Sequence, residues 1–157
     1  RHKFLSYYYK GRVLANAENY LDATTCYIEA EQLADAVNDG YLQGLLYAEM
    51  GRIYRLCYDY SKSLEAYHKA AECYERAGKI RHRNYMWYNQ SNIYRNLNQF
   101  NESEQVLRLA LESGKKEKDK DYYPSSGNGI STLGAILIML SGLVIQAVFY
   151  AALVEIH

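Results

Sequence analysis

The side chains with catalytic or metal-binding chemistry are thinly spread in this chain. Its histidines, His2, His68, His82 and His157, are scattered, and no two stand four residues apart as paired helical ligands would. Cys26, Cys57 and Cys73 cannot all pair within the chain, and their spacings fit neither a zinc nor a redox motif. They read as free thiols, partly buried, in a reducing compartment. "GNGIST" from Gly127 has a G-x-G, but Thr132 stands where a dinucleotide loop needs its third glycine, and no strand precedes it. The carboxylate pair Glu102 and Glu104 reads as a solvated helix face, and the sequons at Asn89 and Asn101 fall in helical sequence. No catalytic constellation and no metal or cofactor site is expected, so the chain reads as a non-enzyme.

The wider composition agrees. The 157 residues carry 18 basic and 18 acidic side chains, a balance that points to neither nucleic acid nor an acidic substrate. One proline, 18 tyrosines and an abundance of Ala, Leu, Glu and Arg before position 110 predict helices. The chain opens at Arg1 without a Met, which reads as a fragment or a processed product.

What must position any functional residue is an internal repeat. "YYYKGRVLANAENYLDATTCYIEA" from Tyr7, "YAEMGRIYRLCYDYSKSLEAYHKA" from Tyr47 and "WYNQSNIYRNLNQFNESEQVLRLA" from Trp87 align at a shift of 40 residues. Tyr7, Tyr47 and Trp87 coincide, as do Gly11, Gly51 and Ser91, then Leu14, Tyr54 and Tyr94. Tyr20, Tyr60 and Phe100 follow, then Ala23, Ser63 and Ser103, then Tyr27, Tyr67 and Leu107, and last Ala30, Ala70 and Ala110. Large residues three, four and seven apart share one helical face, so each copy reads as a helical hairpin. The small columns mark close helix approach, and "ENY", "YDY" and "NQF" supply the turn with an aromatic plug.

These residues closely resemble the tetratricopeptide repeat family over about 4–113: an aromatic, Leu-Gly, Tyr, a polar turn ending in an aromatic, then Ala, an aromatic and Ala. Two features depart from that pattern. The period exceeds the family's usual length of about 34 residues, so the second helix or the loop after it is expected to be longer. Asp35, Glu75 and Lys115 also stand where the family has a proline, which lets that helix run on. The resemblance implies an all-α fold, a right-handed superhelical solenoid of helical hairpins, with repeats over about 4–40, 44–80 and 84–114.

The resemblance also implies a function, the non-catalytic binding of a peptide or partner domain in a concave groove lined by the first helices. Carried over position by position, the inward-facing residues are Tyr8, Arg12 and Asn16, then Arg52 and Arg55, then Tyr88, Asn92, Arg95 and Asn96. Glu49 is expected to sit to one side of them. Guanidiniums match carboxylates bidentately and Asn bonds a peptide backbone, so the expected ligand is an extended, acidic or C-terminal segment. The competing reading has these arginines solubilise a helix face or pair with Asp22, Glu29 and Glu72 on second helices. Tyr7, Tyr27, Tyr47, Tyr54, Tyr67 and Tyr94 fall in packing columns and are expected in the core.

After a charged and Pro-Ser-Gly linker at 115–129 comes an apolar C-terminal segment, 130–154, with no charge. As a helix it is long enough to span a bilayer, with the lysines before it and the repeats placed in the cytoplasm. The rival readings are a degenerate fourth repeat in a soluble cytoplasmic scaffold, and a sensory or regulatory fragment of a larger signalling or transcription-regulating protein.

Overall fold

The computed structural model describes residues 1–116, which lie in one unit, Arg1–Lys118. Seven helices follow one another: α1 (His2–Asn16), α2 (Tyr20–Glu31), α3 (Ala34–Val37), α4 (Gly40–Leu56), α5 (Tyr60–Arg76), α6 (Ile80–Asn96) and α7 (Phe100–Lys116). Helix α1 packs on α2, α4 on α5 and α6 on α7, so the 40-residue sequence period is realised as three helical hairpins. Successive hairpins meet through α2 against α4 and α5 against α6, and α1 also touches α4.

The turns share one construction. Glu18, Asn38, Tyr58, Gly78 and Asn98 all have positive φ, at 59°, 47°, 62°, 66° and 59°, one in every twenty residues. At four of them the amide of the left-handed residue and the amide after it reach back into the helix just ended. Tyr58 N donates to Arg55 O (3.1 Å) and Asp59 N to Tyr54 O (2.9 Å), and the same pair of bonds recurs at Glu18, Gly78 and Asn98. This closes the helix C-terminus with a minimal chain reversal. The residue completing it can then cap the next helix. Asn19 Oδ1 accepts from Asp22 N (3.3 Å) and Asp59 Oδ1 from Lys62 N (3.2 Å). Asp39 does so for α4, accepting from Tyr41 N and Leu42 N at 3.1 Å each.

Two helices of a hairpin approach closely because a tyrosine ring lies flat on a glycine. A Cβ on Gly11 would stand 2.5 Å from Tyr27 Cε1, and one on Gly51 2.7 Å from Tyr67 Cδ1. The column that pairs Ala23, Ser63 and Ser103 sits at the same crossing. Ser63 Oγ donates to Gly51 O (2.7 Å), and Ser103 Oγ to Ser91 O (3.1 Å). Ala30 and Ala70 are fully buried, as close packing of small residues requires.

The longer period is not confined to the second helix or the loop after it, where it was expected. Helix α4 starts at Gly40, ahead of the matched Tyr47, and α5 continues unbroken to Arg76. In the first copy the second helix instead breaks after Glu31 and restarts as α3. The added turns bring their own packing: Tyr74 lies over Gly44, where a Cβ would meet Tyr74 Cε1 at 2.6 Å. Arg83, only 9% exposed, ties three helices together. Its guanidinium lies 4.4 Å from the Trp87 ring centroid and donates to Glu75 Oε1 (2.6 Å) and Ser113 Oγ (2.5 Å).

Among the described residues no helix is long and apolar enough to cross a membrane. The segment 130–154, on which the membrane and fourth-repeat expectations rest, lies outside the described residues, as does the linker after Lys116.

Candidate ligand-binding face

The nine residues expected to meet a ligand all stand on the first helices: Tyr8, Arg12 and Asn16 on α1, Arg52 and Arg55 on α4, and the others on α6. What the fold brings together most tightly is a charge bridge between the first two hairpins. Arg52 Nε donates to Glu49 Oε2 at 2.9 Å, and Arg12 Nε stands 4.0 Å from Glu49 Oε1. One carboxylate therefore lies between two guanidiniums from different helices. Burial opposes the charge on Arg52, but the Glu49 carboxylate and its hydrogen bond outweigh that cost and hold the guanidinium pKa above its usual value.

This corrects the expectation that Glu49 sits to one side. Residue counting along α4 places Cα atoms, whereas a carboxylate on a three-bond stem goes where the cations are. Two of the three second-helix acids named as alternative partners are otherwise engaged: Asp22 accepts from Asn19 Nδ2 (2.7 Å), and Glu72 lies 3.4 Å from His68.

Arg12 is exposed, and its guanidinium carbon lies 5.7 Å from the Tyr8 ring centroid. Tyr8 itself is 3% exposed, so the expectation of an open contact residue gives way to a core one. Its ring stacks with Phe4 at 6.3 Å and lies 6.4 Å from Tyr27. Three consecutive tyrosines occupy 7–9, and the helix can turn only part of that run inward. It buries Tyr8, leaves Tyr7 partly covered and exposes Tyr9.

Further along, burial pushes the Tyr67 phenol pKa up, and the Arg55 guanidinium partly offsets that push. Tyr88 is partly exposed and stacks with Tyr85 at 6.2 Å, 20° from parallel. Asn92 is half-buried, while Asn16, Arg95 and Asn96 are exposed. The core expectation for the tyrosine columns is met in full at Tyr27 and Tyr67, and in part at Tyr7, Tyr47, Tyr54 and Tyr94.

Sequence reasoning missed two arrangements. Lys69 on α5 stands 2.9 Å from Glu65 and 3.8 Å from Glu31 on α2, a bridge between second helices like the one between first helices. His82 is exposed, yet its ring lies against two tyrosines, 5.4 Å from Tyr41 and 5.0 Å from Tyr74. Burial first, and then Lys79, depress its pKa. The i, i+4 spacing of Glu65 with Lys69 was readable, whereas the His82 stack joins residues far apart in sequence. Among the described residues no three His, Cys, Asp or Glu side chains converge as a metal site would require. Cys26 and Cys73 are buried free thiols and Cys57 an exposed one.

No family model matches the chain, and no curated protein does. Among solved structures the chain is similar to the apo form of RapI, with a TM-score of 0.43 and 15% identity. That similarity covers 74% of this chain and 58% of RapI, so the chain spans less than two thirds of RapI's length.

Proposed function

We propose that the chain is a tetratricopeptide-like interaction module, non-catalytic, whose first helices α1, α4 and α6 form a groove for an acidic peptide or an acidic segment of a partner protein. The observation that carries this reading is the bridge in which Arg12 and Arg52 flank Glu49, at 4.0 and 2.9 Å. A face that holds one carboxylate between two arginines has the chemistry to hold another. Arg55 and Arg95 extend the same cationic character along the first helices, and Asn16, Asn92 and Asn96 offer amide groups to a peptide backbone. The opposing reading, in which the arginines are spent on second-helix acids, is disfavoured because Arg12 and Arg52 share one acid between them. Membrane attachment through residues 130–154 draws no support from the described helices.

The test is fluorescence anisotropy with a labelled tetra-aspartate peptide bearing a free C-terminal carboxylate. Binding should weaken as salt rises, because exposed charge attraction is screened. Arg52→Glu should weaken it by about tenfold or more at unchanged circular dichroism, given the strength of charge-assisted hydrogen bonds. Equal binding by wild type and Arg52→Glu would return these arginines to the role of a solvated helix face.

A further inference from the structure

The two edges of the repeat array differ in what they expose. Each first helix is joined to its second by a short turn, at 17–19, 57–59 and 97–99. Beside these turns Leu21 is 79% exposed and Tyr58 78%, and Leu97 and Phe100 stand open at the third. The connections between hairpins, 32–39 and 77–79, expose no large apolar residue. Helices α1, α4 and α6 each open a hairpin and the hairpins pack in order, so the three turns share one edge.

The repeat supplies its own control for what a turn requires. Tyr58 stands in the column of Glu18 and Asn98, and Leu21 in that of Ser61 and Asn101. Polar residues therefore build the same turn, and Tyr58 holds its φ of 62° where Asn98 holds 59° at less steric cost. A bulky aromatic presented to water in a strained backbone conformation points to a contact made there.

Charge identifies the kind of contact. From the last residue of each first helix through the third of each second, the three edges carry Glu18, Asp22, Asp59 and Glu102 against a single lysine, Lys62. Asp59 caps α5 and holds that lysine at 2.9 Å. Glu18, Asp22 and Glu102 are exposed and form no ion pair among the described residues. The edge is apolar and acidic, so its complement is apolar and basic. Its spacing suits a helix: packed helices stand about 8–10 Å apart, and an α-helix advances about 10 Å in seven residues. An apolar residue at every seventh position meets each turn once.

We propose that the edge formed by the three hairpin turns docks a basic amphipathic helix of a partner protein. The apolar stripe of that helix lies across Leu21, Tyr58 and Phe100, and its cations face Glu18, Asp22 and Glu102. This is a second surface, apart from the first-helix groove, and it stands whether or not the groove binds acid.

The probe is a labelled amphipathic peptide of about three heptads, leucine on one face and lysine on the other, with a twin carrying glutamate for every lysine. Fluorescence anisotropy with the full chain should show binding of the lysine peptide and none of its twin. Tyr58→Ser should weaken binding about tenfold, the worth of one buried apolar side chain, at unchanged circular dichroism. Should Tyr58→Ser also shift the melting curve, Leu21→Ser, on a regular helix, gives the same reading. Glu18→Lys should weaken binding about threefold or more, whereas Glu72→Lys, on the exposed face of α5, should leave it unchanged. Equal binding of the two peptides, no loss in either serine variant, or equal loss in Glu18→Lys and Glu72→Lys overturns the proposal, as does failure of wild type to bind the lysine peptide.

Discussion

The Ser63 hydroxyl donates to the carbonyl oxygen of Gly51, 2.7 Å away on the facing helix, and the same bond recurs forty residues later from Ser103 to Ser91. At position 51 no side chain stands between the helices, and at position 91 the small side chain of Ser91 still admits the bond. Beside Gly51 the Tyr67 ring fills the space a Cβ would need.

Gly51→Ala should therefore destabilise the protein although alanine is the better helix former. The added Cβ would stand 2.7 and 2.8 Å from Tyr67 ring carbons, and that ring is itself buried. Overpacking of this kind costs about 1–3 kcal/mol. Gly114 on α7 meets nothing within 4 Å of the same atom, so Gly114→Ala should stabilise by about 0.5–1 kcal/mol. Urea unfolding of the two variants checks both signs, and a stabilised Gly51→Ala would mean that the hairpin crossing is misplaced.

Tyr58 holds the left-handed turn between α4 and α5 with φ at 62° while its side chain is 78% exposed. An L-residue with a Cβ is strained there and gains little packing in return. Tyr58→Gly should raise stability by about 0.5–1 kcal/mol, part of the relief being offset by the greater freedom of glycine in the unfolded chain. A lower thermal midpoint would show instead that the edge contact with Tyr60, 6.2 Å between rings, outweighs the strain.

His82 makes the third hairpin sensitive to acid. Packed against Tyr41 and Tyr74 and near Lys79, it has a pKa below the ordinary 6.5, first through burial and then through the lysine charge. As pH falls below that ordinary value, the unfolded chain takes up a proton that the folded chain refuses, so stability declines until the folded pKa is passed. Above the ordinary value His82 contributes no pH dependence. Melting temperature followed from neutral to mildly acidic pH should therefore fall less in His82→Gln than in wild type. Identical slopes would assign the decline to other groups.

The hairpin repeat and its small columns were legible because a repeated packing solution leaves a repeated residue type. Gly11 and Gly51 face tyrosine rings in the same way in two copies. The turns were half legible: Asn38, Gly78 and Asn98 suit a left-handed backbone, whereas Glu18 and Tyr58 adopt it only because the helices on both sides impose it. The candidate face was legible as a set of helix positions and not as contacts. Which member of 7–9 turns inward, and where the Glu49 carboxylate goes, are decided by neighbours contributed by other helices. The buried Tyr27 was readable as core, but its unpaired hydroxyl was not, because the atoms around a buried phenol come from helices far apart in sequence.

The central claim is that ligand binds on the first helices, and amide chemical-shift mapping of the isotope-labelled full chain with the tetra-aspartate peptide tests it most directly. Perturbed amides should concentrate on α1, α4 and α6, around Arg12, Glu49, Arg52 and Arg95, and the same set should fade as salt is raised. Perturbations confined to α2, α5 and α7, or none at saturating peptide, would contradict it.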